Sequence, residues 1–143
     1  MKKIVVLFML LVVIFVTFAF STQVAEAGKT GAYIKGLSHI RVGKAYNYTL
    51  GCKDLRTTYM EVSSTVKILN PEIVIGYGNL LYNPEIYPGW LAWTGEQDNN
   101  LKVQFSVQPE FSGTFSISLE CWGDTGYDTA ILEIFVAEKN PKK

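Results

Sequence analysis

Few residues in this sequence could carry catalysis. His39 is the single histidine among 143 residues, and Cys52 and Cys121 are the two cysteines. Nucleophilic catalysis needs a nucleophile, a base and an orienting group, and one histidine can supply only the base. The sequence contains neither a G-x-S-x-G nor an H-E-x-x-H motif. We therefore predict no catalytic residue and no enzyme activity, although a hydrolase with two carboxylates stays open because their pairing is spatial.

Two polar segments contain oxygen-bearing side chains of the kind that bind calcium. Residues 95–100 include Glu96 and Asp98, and residues 123–128 include Asp124 and Asp128. Their spacing matches no calcium-loop signature. Asp and Asn are also frequent in turns, because their side chains bond to the neighbouring backbone and tolerate left-handed conformations. We therefore predict turns and assign no metal site and no cofactor, while calcium near Glu96 and Asp98 stays an open alternative.

Aromatic residues are concentrated between residues 77 and 93, which contain three tyrosines and two of the three tryptophans. These side chains combine a flat apolar face with a polar tip, which suits both carbohydrate platforms and protein contacts. We predict a long connection that exposes a binding surface formed by Tyr77, Tyr82, Tyr87, Trp90 and Trp93. The alternative is a lid in which some of these rings cover one end of the core together with Leu80, Leu81, Ile86 and Leu91.

Strands with alternating apolar and polar residues must position these side chains. The clearest alternation lies in residues 101–108, followed by residues 114–121, with further examples in residues 45–52 and 58–69. Asn70-Pro71 is expected to end the strand before it. Trp122 points outward by the same alternation and is a lesser candidate for the binding surface. Residues 129–137 are apolar on both faces apart from Glu133, which predicts a strand that is covered on both faces or lies centrally.

The first 27 residues have the pattern of a secretory signal. Lys2 and Lys3 precede an apolar run over residues 4–20, and Ala25-Glu26-Ala27 forms a cleavage box. An uncleaved membrane anchor is the alternative, because the run is just long enough to span a bilayer. Removing residues 1–27, which hold two lysines and one glutamate, leaves 11 basic and 12 acidic residues in a chain of net charge about −1. Nucleic-acid binding is not expected, because it requires a strongly basic face.

The two cysteines favour a disulfide. An exported chain meets an oxidising compartment, where an even number of cysteines favours pairing, and two buried free thiols are the alternative. Cys52 and Cys121 end inward-facing rows on an early and a late strand. Their separation resembles the inter-sheet disulfide of immunoglobulin-like domains, and this resemblance covers residues 28–143. It implies an all-β fold with a single antiparallel sandwich of about seven strands, although no tryptophan lies in residues 58–69 and Leu119 occupies the usual tyrosine position.

These features predict a secreted, non-catalytic β-sandwich that makes extracellular binding contacts with protein or carbohydrate. The location is outside the cell or at the cell surface, with no membrane contact after signal cleavage. The alternative is a self-assembling structural subunit, a homo-oligomer in which residues 29–42 could serve as a detachable strand. An exported inhibitor or enzyme is a lower alternative.

Cleavage after Ala27 gives a testable expectation. Amino-terminal sequencing of the secreted protein should begin at Gly28, because the small residues Ala25 and Ala27 match what signal peptidase requires. A full-length product that stays in the membrane would show that the apolar segment is a retained anchor.

Overall fold

The structure is a computed structural model that describes residues 24–27 and 31–139. Residues 1–23 of the predicted signal lie outside the described residues, as do residues 28–30 and 140–143. No helix in the described chain has the length and apolar character of a membrane span. The described residues form nine strands: β1 (Val24–Ala27), β2 (Ala32–Leu37), β3 (His39–Arg41), β4 (Tyr46–Ser64), β5 (Ile68–Ile75), β6 (Gly78–Leu81), β7 (Trp90–Val107), β8 (Gly113–Gly123) and β9 (Gly126–Ala137).

The two longest strands, β4 and β7, form one antiparallel ribbon that changes direction at a corner. Residues 46–53 of β4 pair with residues 100–107 of β7, and residues 57–63 pair with residues 90–98. The register shifts between these two parts, where Asp54 and Arg56 have φ values of 58° and 48°. Left-handed residues of this kind bend a strand and interrupt its pairing. The two parts of the ribbon therefore belong to different layers.

The corner divides the strands into two layers. The first layer has the order β1–β2–β4–β7–β5 and uses residues 46–53 of β4. The second layer has the order β6–β7–β4–β8–β9–β3 and uses residues 57–64 of β4. Strand β2 of the first layer also contacts β8 and β9 of the second. The layers therefore face each other as a β-sandwich.

The core is built by alternate residues of these strands. Leu101, Val103, Phe105 and Val107 are buried, as the alternation in β7 predicted. The same prediction is confirmed in β8, where every second residue from Phe115 to Cys121 is buried. Burial of each large apolar side chain contributes about 1.5–3 kcal/mol relative to exposure. The buried Tyr48 hydroxyl donates to the Leu37 carbonyl oxygen at 2.7 Å, so it is not left without a partner.

The predicted disulfide is confirmed. Cys52 and Cys121 are bonded across the core, with their Cα atoms 5.9 Å apart and a separation of 69 positions in sequence. Cys52 lies in the first-layer part of β4, and Cys121 lies in β8 of the second layer. The bond therefore joins the two layers close to the corner of the ribbon.

The β8–β9 turn packs against the same corner. A Cβ added to Gly123 would lie 2.8 Å from the Arg56 carbonyl oxygen, so only glycine allows this close approach. The backbone N–H groups of Asp124 and Thr125 donate to the carbonyl oxygens of Arg56 and Leu55 at 3.3 and 3.4 Å. These contacts hold the start of β9 and the end of β8 beside the second-layer part of β4.

The sandwich is not wholly antiparallel, and eight of its nine described strands lie within residues 28–143, for which about seven were predicted, whereas β1 lies inside the predicted signal. Strand β3 pairs in parallel with β9, with His39 opposite Phe135. After Leu37 the chain crosses from the first layer to the second, and the Phe135 N–H donates to the Ser38 carbonyl oxygen at 2.7 Å. Because the chain changes layer between β2 and β3, β3 joins the edge of the second layer, where it runs in the same direction as β9.

The prediction that Asn70-Pro71 ends a strand is wrong. β5 continues through both residues, and a register shift against β7 lies between Leu69 and Glu72. Asn70 has a φ of 49°, which Asn tolerates, so the pair forms a bulge. Pro71 is accommodated because β5 is an edge strand that pairs only with β7, and an edge position needs no second row of hydrogen bonds.

Of the two alternatives predicted for residues 129–137, coverage on both faces or a central position, the central position is confirmed, because β9 lies between β8 and β3. Its inner residues Ala130, Leu132, Ile134 and Val136 are buried. Ile131 and Phe135 on the other face are 62% and 47% exposed. The apolar residues on this face are therefore not explained by the packing of the described chain.

The disulfide should supply much of the stability. Replacing both Cys52 and Cys121 by alanine should lower the free energy of unfolding by about 4 kcal/mol, because the bond closes a long loop in the unfolded chain. Urea unfolding of the mature domain measures this loss. Two cysteines that are readily alkylated in the folded, oxidised protein would contradict the expectation.

Candidate functional site

The structure separates the five aromatic residues that were predicted to form one binding surface. Trp93 is completely buried, because it lies in β7 opposite the buried Met60 and points into the core. The prediction of an exposed Trp93 is therefore wrong. Tyr82 is partly buried against the core, and its hydroxyl donates to the Ile68 carbonyl oxygen. Tyr77 is 92% exposed beside the start of β6.

The remaining two aromatics, Tyr87 and Trp90, contact each other at the β7 edge of the second layer. Their ring centroids are 6.2 Å apart in an edge-to-face arrangement, and Tyr87 is 60% exposed. The turn that carries Tyr87 is tied to the rest of the fold by its backbone. The Ser64 N–H donates to the Gly89 carbonyl oxygen and the Ile68 N–H to the Pro88 carbonyl oxygen, both at 2.7 Å.

A second group of aromatics lies on the outer face of the second layer, which is the face turned away from the core. Tyr59, Trp122 and Tyr127 stand on β4, β8 and β9 in one cross-strand row. Adjacent ring centroids are 5.2 Å apart in both pairs, with interplanar angles of 50° and 43°. We call these three residues the aromatic row.

The next cross-strand row contains two carboxylates. Glu61 and Glu120 are directly opposite each other on β4 and β8, and we call them the glutamate pair. The Tyr59 hydroxyl donates to Glu61 Oε2 at 2.9 Å, and the Tyr127 hydroxyl donates to Glu120 Oε2 at 3.0 Å. The rings of the aromatic row and the glutamate pair are therefore held as one unit.

The tyrosine hydroxyls remain protonated donors in this unit. Partial loss of solvent raises the pKa of Tyr59, and the hydrogen bond to Glu61 and the negative charges of Glu61 and Glu120 raise it further. The pKa of Tyr127 is raised by partial desolvation, by its hydrogen bond to Glu120 and by the charges of Glu120 and Asp128. Both phenols are therefore neutral at physiological pH and can continue to orient the carboxylates.

The outer face of the second layer is acidic. Residues 57–64, residues 90–98, β8 and β9 contain no lysine or arginine, and the basic residue Arg41 lies in β3 at the edge of the layer. Glu133 adds a third glutamate to this face, on β9. Lysines instead occur in the strands of the first layer, at Lys35, Lys53 and Lys102.

The sequence signals for this face were incomplete. Trp122 was identified from its outward position after Cys121, and the alternation in residues 58–69 assigns Glu61 to the outside. Tyr59 and Tyr127 were missed, because they lie 68 positions apart in the sequence and meet Trp122 only through strand register. His39 stacks on the exposed Phe135 ring at 5.2 Å between centroids, which is a surface contact on β3 and β9.

The oxygen-rich residues 95–100 bond to the corner of the ribbon. Asn99 Oδ1 accepts from the Arg56 N–H at 3.1 Å, and Asp98 Oδ1 accepts from the Asn100 N–H at 2.7 Å. Gln97 accepts from the Arg56 guanidinium and donates to Asp124. In residues 24–27 and 31–139 there is no group of three or more His, Cys, Asp or Glu side chains that could hold a metal ion.

A groove of about 400 Å³ lies at one end of the sandwich. Its walls come from the β4–β5 and β7–β8 turns and include Val66, Phe111, Phe115 and Val136. Among the residues that line it there is one carboxylate, Glu110, and no histidine. The groove therefore lacks the paired acid and base that hydrolysis by two carboxylates would require.

Comparison with solved structures places this fold. No protein-family model and no curated protein matches the sequence. The human F-spondin reeler domain is similar with a TM-score of 0.50 and 8% identity, over 80% of this chain and 91% of that domain. The CARDB domain of a Pyrococcus furiosus protein is similar with a TM-score of 0.44 and 18% identity, over 73% of this chain and 90% of that domain. The PKD domain of an M14-like peptidase from a Thermoplasmatales archaeon is similar with a TM-score of 0.42 and 17% identity, over 80% of this chain and 98% of that domain.

The present chain has the same class of fold as the reeler domain, an immunoglobulin-like β-sandwich. The disulfide between an early and a late strand on opposite layers agrees with this assignment. At sequence identities of 8–18% the similarity concerns the fold alone, and the surface of this chain is the evidence for its function.

The different positions of Trp90 and Trp93 can be tested by mutation. Trp93→Ala should lower the free energy of unfolding by roughly 3–5 kcal/mol, because it removes a completely buried ring from the core. Trp90→Ala should cost about 1 kcal/mol or less, because Trp90 is only half-buried. Urea unfolding of both variants measures the difference. Equal losses would contradict the assignment of Trp93 to the core and Trp90 to the surface.

Proposed function

We propose that the protein is an exported, non-catalytic module that binds extracellular molecules through the outer face of its second layer. The observation that carries the proposal is the aromatic row, in which three large rings on three strands lie side by side, with Tyr127 exposed and Tyr59 and Trp122 half-buried. Tyrosine and tryptophan are frequent in contact surfaces, because they bring a large apolar area with little loss of rotamer entropy.

Apolar residues extend this surface along β9. Tyr127, Ile131 and Phe135 are 54%, 62% and 47% exposed. Each lies four residues from the next along one strand, so they line the same face together with Thr129 and Glu133. Exposed aromatic and aliphatic side chains that share one face of a sheet are typical of contact sites.

The Tyr87–Trp90 pair extends the proposed surface to the opposite edge. Trp90 is paired with Ser63, which is in turn paired with Ser118 on β8. Trp90 therefore belongs to the outer face, two rows from the aromatic row. In this proposal Tyr87 and Trp90 take part in binding as the sequence predicted, Tyr77 lies at the same edge, and Trp93 has a structural role.

A non-catalytic role is supported by the surroundings of the titratable groups. The single histidine stacks on Phe135, and its Nδ1 lies 3.1 Å from the neighbouring Ser38 hydroxyl, so its contacts in the described chain are with an aromatic ring and a hydroxyl group. Both cysteines are in the disulfide. An exported location is supported by this disulfide, which persists in oxidising compartments.

Self-association is a second candidate function, and the distribution of charge favours it. Lysines at positions 35, 53 and 102 lie in the first layer, whereas glutamates lie on the outer face of the second. Opposite faces of opposite charge allow head-to-tail contact between copies. Self-association by exchange of residues 29–42 has less support, because these residues are part of the core. Ala32 and Ile34 of β2 are completely buried, and Ile40 of β3 is 3% exposed.

The binding proposal predicts a selective effect of Trp122. On an array of extracellular proteins and glycans, ligands retained by the mature domain should bind the Trp122→Ala variant at least about tenfold more weakly, because a central aromatic anchor is lost. Phe111→Ala is the matched control, because Phe111 is 81% exposed but lies in the groove at the end of the sandwich. Unchanged binding by a folded Trp122→Ala variant would contradict the proposal.

A further inference from the structure

We infer that the aromatic row and the glutamate pair bind lysine or arginine side chains of a partner protein. This inference rests on the proposed function, because it takes the outer face of the second layer as the contact surface. It adds the chemistry of the partner, which the exposure of the rings alone does not define.

The first step is the arrangement of the two carboxylates. Glu61 and Glu120 are cross-strand neighbours, whose Cβ atoms are generally about 4.5–5.5 Å apart, and like charges at this spacing repel. Each uses Oε2 to accept a hydrogen bond from a tyrosine. Within the described chain the other oxygen of each carboxylate has no hydrogen-bond partner. The pair therefore keeps two acceptors and two negative charges available.

The second step is the lack of an internal counter-charge. No lysine or arginine occurs in β8, in β9, in residues 57–64 or in residues 90–98, and Arg41 of the same layer lies in β3 at its far edge, opposite Ala137 and away from the glutamate pair. The nearest arginine in sequence to the glutamate pair, Arg56, directs its guanidinium to Gln97 at the corner. A cation from another molecule would remove the repulsion that the folded chain leaves in place.

The third step is the contribution of the rings. A lysine or arginine side chain that reaches the glutamate pair can lie along Trp122 or one of the two tyrosines, because the two rows are adjacent. Aromatic faces attract cations, and tryptophan does so most strongly. The apolar stem of the same side chain can lie along the rings. The two rows are thus complementary to both parts of one long basic side chain.

The geometry favours a basic side chain over a sugar. Neighbouring rings are tilted by 50° and 43°, so they do not form the flat platform on which successive sugar rings stack. A neutral sugar would also leave the repulsion between Glu61 and Glu120 in place. A cation fits the tilted rings, because it needs no flat platform, and its charge offsets the repulsion between the two glutamates.

The occupant is a separate protein and not a second copy of this chain. Among the lysines of the first layer, the Lys35 ammonium already lies 5.4 Å from the centroid of the Tyr33 ring. The same layer also carries the exposed Glu72 in β5, so a second copy would bring a negative charge with its lysines, whereas a basic partner would not. Self-association through the two faces remains a distinct outcome of the experiment below.

The experiment measures binding of an octalysine peptide by isothermal titration calorimetry. The variant Glu61→Gln/Glu120→Gln should bind at least roughly tenfold more weakly, because glutamine still accepts from the tyrosine but cannot form a charge-assisted bond to an ammonium. Glu72→Gln/Glu110→Gln changes the net charge equally and is the matched control, because both residues are exposed and lie away from this face. The control should bind like the native protein.

A second readout does not depend on the peptide. If the carboxylates of Glu61 and Glu120 repel each other in the free protein, Glu61→Gln/Glu120→Gln should raise the urea concentration at the midpoint of unfolding relative to the control variant. Weaker peptide binding together with a higher midpoint supports the inference. Equal peptide binding by the two double variants overturns the inference. The inference is also overturned if the native protein forms a dimer and that dimer dissociates both in Glu61→Gln/Glu120→Gln and in Lys102→Glu, because the occupant would then be a second copy.

Failure of this inference can be separated from failure of the proposed function. If the double glutamine variant binds octalysine normally while Trp122→Ala still loses its array ligands, the face binds partners that are not basic. If Trp122→Ala retains all array ligands, the outer face is not the contact surface, and the inference falls with it.

Discussion

The change of layer by the β4–β7 ribbon is the constraint on which the rest of the structure depends. Asp54 and Arg56 adopt left-handed conformations at the corner, so one continuous strand contributes to both layers. The first part of β4 brings Cys52 to the core, and the second part pairs with β8, which carries Cys121. The same pairing sets Tyr59 beside Trp122. The disulfide and the candidate binding surface therefore both follow from one bend.

The corner also explains why the outer face can carry an unfavourable charge arrangement. Gly123 and the β8–β9 turn pack closely against the backbone of Leu55 and Arg56, which fixes the register of β8 against β4. Glu61 and Glu120 are held opposite each other by that register, and the disulfide stabilises the sandwich by several times the cost of one like-charged pair. Proteins commonly retain such local costs where a surface binds a partner.

Local patterns in the sequence were sufficient where one face of a strand is polar. The alternation of Leu101 to Val107 and of Phe115 to Cys121 predicted both the strands and their buried faces, and the cysteine rows predicted the disulfide. The pattern failed in β9, because Ile131 and Phe135 are apolar without being buried. It also failed at Trp93, because Gly and Pro around residues 76–89 indicated a loop and no inward face was assigned.

Pairing between distant strands could not be predicted in the same way. Tyr59 and Tyr127 meet Trp122 through hydrogen-bond register, and nothing in the local sequence around any of these residues identifies the other two. The glutamate pair has the same origin, because Glu61 and Glu120 each look like an ordinary solvent-facing residue of an alternating strand. The candidate surface is thus a property of the topology.

The most direct test of this account is a map of the contact surface in solution. Backbone and indole resonances of the mature domain, followed by nuclear magnetic resonance while octalysine is added, report which residues the peptide contacts. We predict the largest shifts at Tyr59, Glu61, Glu120, Trp122 and Tyr127, with little change in the first layer. Shifts confined to the first layer or to the groove around Phe111 would contradict the claim that the outer face of the second layer is the binding surface.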